Sequence, residues 1–451
     1  MNPDDARSLD ASVRPITHEL TPDEIDARLR WARRQGYIAW FWPDVEVGAW
    51  RACLQEIERV TGVLLAADRA IEPYAALPDP AGRASATTAL VTPQGADARA
   101  LGIAAFTSGM GPLLGYWIEQ DQLTADAALS SLLAEHLDHS RRRASRMHAA
   151  RQRALDVLGS IGLKPILVKA AHTGTSLFAE AGLRPAADID LVVDRTRFAA
   201  AEVALASAGY VLAKRRRNPR KSDWIPPGAP RRLRSLDVTH ADNPFTLELH
   251  GSLDREFYGV RTVRFSSIGH LAVEGASELH PSARVLTQPL LTAYLAAHAS
   301  EELHQLQLIR LVELVLLVRR DSASGALDWR ELNALLVNRA AHRFTYPAFD
   351  LAERLVPGTI DAWFRRQLSR HASERMQAVV ARIGPGTAQR LDELSLDERF
   401  LWTEGPFEAV RRFLHLLAPP RDGQSIMRHW TDRLTRLIRG RVSVRRDDRI
   451  V

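Results

Sequence analysis

Two aspartates, Asp188 and Asp190, stand two residues apart at the head of an apolar run made by Ile189, Leu191, Val192 and Val193. On an extended chain, residues i and i+2 project from one face, so the run reads as a buried strand carrying both carboxylates on the same side. Like charges that close repel unless a cation lies between them. Hard cations such as Mg²⁺ take oxygen ligands, usually one or two carboxylates together with substrate phosphates. The pair is therefore a candidate metal platform for phosphoryl or nucleotidyl transfer. An Asp-x-Asp that merely caps a loop and solvates a strand end would look the same in isolation.

The elements needed to position the pair are legible on both sides. Upstream, Pro165 to Lys169 is a short apolar run that reads as a buried strand. Ala170 to Glu180 follows, with small residues leading into a helical pattern, and such a turn lets a phosphate approach backbone N–H groups at a helix start. Downstream, Thr196 to Gly209 reads as an amphipathic helix with Gly209 past its end. Phe245 to His250 then reads as a strand bearing a third carboxylate, Glu248. Three carboxylates on neighbouring strands are what a two-metal transfer site requires, because they clamp attacking and leaving oxygens together.

This arrangement resembles the DNA polymerase β-like nucleotidyltransferase superfamily, and more narrowly the poorly characterised bacterial group often labelled nucleotidyltransferase family 5. The group's pattern is an apolar strand ending Leu-Lys-Gly, a helix, Arg-Pro-x-x-Asp-Ile-Asp-Leu-Leu-Val, a helix ending Gly-Tyr, and a strand ending Asp/Glu-Leu-His. The corresponding elements are Leu167 to Ala170, Arg184 to Val193, Gly209-Tyr210, and Glu248-Leu249-His250. The resemblance covers roughly residues 130 to 320 well and the rest loosely. It implies transfer of NMP from an NTP, ATP foremost, to a hydroxyl of a small molecule, peptide or protein. It also implies two Mg²⁺ ions, with Mn²⁺ as a substitute, held by Asp188, Asp190 and Glu248. Glu248 would complete the acceptor-side metal and take the hydroxyl proton.

Other positions carry paired readings. The nucleotide-binding set is Lys169, Ala170, Ala171, Thr173 and Arg184. Lys169 reaches a phosphate as a point charge, or pairs with Asp188 or Glu180. Arg184 grips phosphate bidentately, or forms an ion pair that orders the loop before Asp188. Thr173, Thr175 and Ser176 offer hydroxyls to phosphate, or cap a helix. His250 positions Glu248 or the acceptor, or is a hydrogen-bonded strand-end histidine. His298 and Glu313, on later helices, resemble supporting polar positions of the family. The chain departs from the pattern at Ala170-Ala171, where the superfamily places Gly followed by Gly or Ser. Ala there adds a Cβ beside the triphosphate and closes φ > 0 conformations. That departure opens a second class of function, a catalytically degenerate nucleotide-binding or scaffold protein.

Bulk properties bound the rest. A chain of 451 residues holds a large core and two or three domains. The single cysteine, Cys53, excludes an internal disulfide framework and a Cys-based zinc site. No run of about 18 apolar residues occurs, so no transmembrane helix is expected. The N-terminus is acidic and polar, unlike a signal peptide, so the expected location is cytoplasmic, with no membrane partner. The net charge of +6 is modest, and it is concentrated in Lys214 to Lys221 with Arg231 to Arg234, and in a tail from Arg428 to Arg449. A nucleic-acid enzyme would use such segments against phosphates and needs stacking aromatics; Trp224 alone lies beside the first segment, which makes nucleic acid the weaker partner.

The expected architecture is α+β: a small mixed β-sheet nucleotidyltransferase core flanked by N- and C-terminal helical regions. The expected divisions are 1–125, 126–270 and 271–451. Thr21-Pro22 starts a helix, and Trp31, Trp40, Trp42 and Trp50 cluster around Pro43 as core. Pro73 to Gly95 reads as a loop. Ala125 to Gly159 is one long helix or two, with Asp138, Arg141 to Arg143 and Arg146 as a polar face and His136, His139 and His148 as solvated histidines. Helices are expected over Leu286–His298, Leu303–Arg320, Asp328–Leu336 and Ala348–Leu355. Beyond Ser369 the pattern is helical, broken at Gly384-Pro385-Gly386, Gly405-Pro406 and Pro419-Pro420.

Overall fold

The computed structural model describes Thr21, Asp23, Glu24 and residues 45–67, 87–216, 221–235, 239–266, 272–274, 279–389 and 395–417. Most of the tryptophan cluster (Trp31, Trp40, Trp42), most of the first loop, Pro419-Pro420 and the basic tail lie outside the described residues. Thr21 and Glu24 close a reciprocal capping box, Glu24 N–H donating to Thr21 Oγ1 (3.3 Å) and Thr21 N–H to Glu24 Oε2 (2.8 Å).

The N-terminal part holds α1 (Val47–Ala66), β1 (Thr88–Ala89), α2 (Ala98–Thr107), α3 (Gly111–Glu119) and β2 (Leu123–Thr124), with β1 and β2 paired in parallel. One unbroken helix of 34 residues follows, α4 (Ala127–Ser160), capped by Asp126, whose side chain accepts from Leu129 N–H at 2.9 Å. Its buried residues include Leu129, Leu133, Leu137, Met147, Ala150, Ala154 and Leu158, the three-and-four spacing of an amphipathic helix. The core continues with β3 (Ile166–Leu167), α5 (Ala170–Ser176), β4 (Asp188–Val192), α6 (Phe198–Ser207), β5 (Val211–Arg216), β6 (Lys221–Ile225) and β7 (Thr246–His250). Gly209, with φ +83°, ends α6 in the left-handed region as expected.

A hairpin of β8 (Arg255–Phe257) and β9 (Arg261–Val263) comes next, then β10 (Ala272–Glu274) and β11 (Arg284–Leu286). The C-terminal helices are α7 (Leu290–Glu301), α8 (Leu308–Ala323), α9 (Trp329–Arg339), α10 (His342–Leu355), α11 (Ala362–Arg370), α12 (Glu374–Ala381), α13 (Leu396–Arg399) and α14 (Gly405–Leu417). Seven strands form the main sheet in the order β10-β11-β3-β4-β7-β6-β5. The pairs β11/β3 and β4/β7 are parallel and the others antiparallel, so the sheet is mixed. The fold is α+β, as expected.

The period-two pleat gives the sheet two unlike faces. Ile189, Leu191, Leu247, Leu249 and Trp224 join one core with Met147, Ala150, Ala154 and Leu158 of α4 and Phe198, Ala201 and Leu205 of α6. Ile166 and Val192 belong to the larger core that holds α7, α8 and α10. Asp190 shares the second side, two residues from Val192.

Several expectations are corrected here. The basic stretch Lys214 to Lys221 contributes to the paired strands β5 and β6, and its last residue, Lys221, reaches the site, while β10 and β11 carry the sheet beyond residue 270. His136 and His139 are buried rather than solvated, and so is Arg143, which leaves the polar face of α4. His139 Nδ1 accepts from Ala241 N–H at 3.1 Å, and its ring lies 4.3 Å from that of His240. Trp224 is buried and donates to Ser222 Oγ, so it offers no stacking surface. No single helix among the described residues is long and apolar enough to cross a membrane.

Candidate active site

Parallel pairing of β4 with β7 sets Asp188 opposite Thr246 and Asp190 opposite Glu248. Directly paired residues project from one face, so register alone brings Asp190 and Glu248 together. His250, two residues past Glu248, follows on the same face. Its Nε2 lies 2.9 Å from Asp190 Oδ1 and 3.4 Å from Glu248 Oε2. One ligand atom from each of Asp190, Glu248 and His250 falls within a span of 4.8 Å. Asp188 stands outside that tightest group, half-buried at the head of β4.

Two lysines answer the carboxylates. Lys169 Nζ donates to Asp190 Oδ1 at 2.7 Å, and Lys221, from β6, pairs with Glu248. Of the two partners named for Lys169 from the sequence, Asp188 and Glu180, neither is the one it bonds; Asp190 is. Lys169 also carries the local backbone strain, with φ +53° and ψ −140° immediately before α5. The left-handed position of this turn thus falls on Lys169, not on Ala170, which is the first residue of the helix. The expected conformational penalty of Ala170 therefore does not arise, although its Cβ remains.

The electrostatics follow from these contacts. Burial, and then the Asp190 carboxylate, push the Asp188 carboxyl well above the usual aspartate range. Burial would raise Asp190 too, but Lys169 and the His250 hydrogen bond outweigh it and hold that carboxyl far down. Against burial, the hydrogen bond from His250 holds Glu248 down to about 2. Desolvation opposes the charge on Lys169, yet Asp190 and Asp188 keep its ammonium protonated.

A second cluster gathers other candidates. Arg184 Nη2 donates to Glu313 Oε2 at 3.1 Å, and the Thr173 hydroxyl bonds both Glu313 and, at 2.7 Å, the Lys169 carbonyl. Thr173 is fully enclosed and Arg184 is also buried. These contacts match the ion-pair reading of Arg184; Thr173 does not cap α5 but donates back to the carbonyl four residues before it. His298 is buried, with its Nδ1 3.9 Å from Glu302 Oε1. Burial, and then Arg255 and Lys169 nearby, hold His298 well below the ordinary histidine range.

The roles of three residues in this region were not read from the sequence, although Lys221 and Arg143 lie in segments it singled out. Lys221 and Asp223 sit opposite His250 and Glu248 across β6; their signal was the alternation in Lys221-Ser222-Asp223, masked by the basic run before it. Arg143 is the third. Its guanidinium donates to the carbonyls of Ala186 (3.0 Å), Ala187 (3.1 Å), Asn243 (2.9 Å) and Pro244 (3.1 Å). Those carbonyls lie just before β4 and β7, so one side chain ties together the starts of both carboxylate strands. Nothing in a helical arginine run marks that role.

A mixed sheet with acidic residues paired across adjacent strands, set among helices, defines a nucleotidyltransferase-like α+β protein. The sequence profile of a family described as an uncharacterised nucleotidyltransferase matches residues 94–357, more than half of the chain, and the chain belongs to that family. The match reaches further at both ends than the motifs suggested. No curated protein and no solved structure matches the chain.

Proposed function

We propose that the protein is a divalent-metal-dependent nucleotidyltransferase that moves NMP from an NTP, ATP foremost, to a hydroxyl of a small molecule, peptide or protein. The observation that carries this reading is the direct pairing of Asp190 with Glu248, with His250 completing a donor set within 4.8 Å. Carboxylate oxygens with one imidazole suit Mg²⁺ or Mn²⁺. Asp190, Glu248 and His250 would hold a cation, and Asp188 borders it from the head of the strand. When bound, such a cation neutralises phosphate charge and activates the acceptor hydroxyl. Lys169 and Lys221 keep the carboxylates ionised until then, and either ammonium is free in principle to exchange its carboxylate for a phosphate oxygen.

The same two ion pairs favour a second reading, in which the cluster is a closed structural network in a degenerate enzyme. The test is direct. The full chain is incubated with each Mg²⁺-NTP and cell extract, and mass spectrometry seeks an acceptor that gains an NMP. Transfer by the wild type and not by Asp190→Asn supports the enzyme. Absence of both transfer and Mn²⁺ binding supports the network.

A further inference from the structure

A small, partly open pocket of about 60 Å³ lies between α4 and the Ala170-Ala171 turn, and Asp188 forms part of its wall. Its lining mixes apolar groups such as Met147 and Ala170 with Arg151, Arg184 and His148. Arg151 is only 4% exposed. Its guanidinium reaches the Ala171 carbonyl at 2.6 Å and His148 Nδ1 at 3.0 Å, while its Nε has no hydrogen-bond partner. Among the described residues no carboxylate pairs with it. Arg184, though paired with Glu313, also leaves its Nε without a hydrogen bond. A buried guanidinium without a counter-charge is costly to fold. Every other buried arginine around this site meets carbonyls in number or a carboxylate. Arg151 meets one carbonyl and a neutral ring.

We infer that this pocket is an anion subsite in which Arg151, assisted by His148 and the Arg184 Nε, receives the terminal phosphates of the NTP. That the anion is an NTP tail rests on the transferase reading above; that the pocket takes a phosphate-class anion rests on the pocket and Arg151 alone. Guanidinium binds phosphate through paired N–H donors, and burial strengthens the contact. The position beside Asp188 lets one ligand reach from this pocket to the carboxylate strands. It also assigns α4 a direct part in substrate binding, where the sequence suggested only a solvated polar face.

Titration calorimetry on the full chain tests this, using tripolyphosphate, ATP and AMP, with and without Mg²⁺. Wild type is expected to bind tripolyphosphate and ATP. Arg151→Gln should weaken both by about ten- to a hundredfold, the range for a lost hydrogen bond to a charged group, and leave AMP unchanged. Arg151→Lys keeps the charge and should lose less. Arg151→Gln that melts like wild type and binds tripolyphosphate and ATP equally well overturns the subsite. Should neither variant fold, the wild-type melting temperature in metal-free tripolyphosphate decides: a rise above that seen in equal sulfate supports the site, and no rise overturns it. Tripolyphosphate binding that Arg151→Gln abolishes, in a protein that transfers no NMP, keeps the subsite and removes the transferase reading. NMP transfer by Arg151→Gln with an unchanged KM for ATP does the reverse.

Discussion

Two buried charged clusters lie within a few residues of each other along this chain, and they are built to different ends. Arg184, Glu313 and Thr173 form a charge-paired set: one guanidinium, one carboxylate and one hydroxyl, with the two charged side chains only 8% and 4% exposed. The cluster on β4 and β7 sets three carboxylates, Asp188, Asp190 and Glu248, against two ammoniums from Lys169 and Lys221. The first is balanced. The second crowds three acids together, with the Asp188 carboxyl held well above the usual aspartate range and the His250 imidazole between Asp190 and Glu248. The family resemblance and residue type placed Arg184, Glu313 and Thr173 among the candidates beside Asp190, but their contacts separate them: Arg184 and Glu313 pair with each other, whereas Asp190 is bonded by both Lys169 and His250. A buried ion pair is weak grounds for stability and strong grounds for sensitivity to losing one partner, so both clusters predict large mutational effects of different kinds.

The largest effect is expected from Asp190→Asn. Like-charge repulsion, considered without the fold, predicts a variant as stable as wild type or slightly more so. The Lys169 contact reverses that sign: the substitution strands a buried ammonium and should cost about 3–5 kcal/mol in chemical denaturation. It should also abolish NMP transfer and Mn²⁺ binding. Glu313→Gln should come next, costing about 3 kcal/mol by stranding Arg184. At low temperature its folded fraction should bind Mn²⁺ as wild type does, and lost metal binding there would merge the two clusters into one site.

Arg143→Lys sharpens the comparison further. It leaves every acid in place but loses the fork that gathers four carbonyls. Metal affinity should fall about tenfold, as for other residues that orient ligands, in a protein that remains folded. At Lys169 two substitutions are compared. Both Lys169→Gly and Lys169→Ala remove the ammonium, but Gly accepts φ +53° without strain. The Gly variant should be more stable than the Ala variant by about 1–2 kcal/mol. Ala170→Gly, by contrast, should only weaken the start of α5, by about 0.5–1 kcal/mol.

A further comparison is with pH. His172 is buried and burial, then Arg320, lowers it from 6.5 to about 4. A depressed histidine contributes stability above its unfolded pKa that is lost as pH falls, here from 6.5 towards 4. Glu248, lowered from 4.5 to about 2, contributes stability that persists to about pH 4.5 and disappears below it. Denaturation followed against pH should therefore show two successive losses, and Glu248→Gln should reduce the second, to which Asp190 also contributes.

Much of the carboxylate arrangement was legible because strands have a fixed period. Asp188-x-Asp190 and Glu248-x-His250 each place two polar groups on one face whatever surrounds them, and apolar neighbours such as Ile189, Leu191, Leu247 and Leu249 mark the other face. Residues 210–245 were illegible for the opposite reason. Lys214 to Lys221 carries charge at nearly every position, so alternation vanished and the β5–β6 hairpin with it. Strand β3 has two residues, too few for a period, and was read from its apolar run alone. Arg143 and Arg151 show a further limit. Both sit on a helix among other arginines, and only tertiary contacts reveal that one gathers carbonyls while the other lacks a counter-charge.

The parallel pairing of β4 with β7 has a consequence for how this protein tolerates change in length. The chain leaves the sheet after Val192 and returns at Thr246, having formed α6 and the β5–β6 hairpin on the way. Doubling a flexible connection costs only about 0.6 kcal/mol of closure entropy, and Arg143 holds both strand starts independently of what lies between. Relatives or engineered forms can thus gain length in the connections between those elements and keep the same acids in contact. A single residue inserted within β7 before Glu248 is different: it turns Glu248 and His250 to the apolar face. The excursion is a place to graft recognition elements, and the five residues of β7 are a place where nothing can be added.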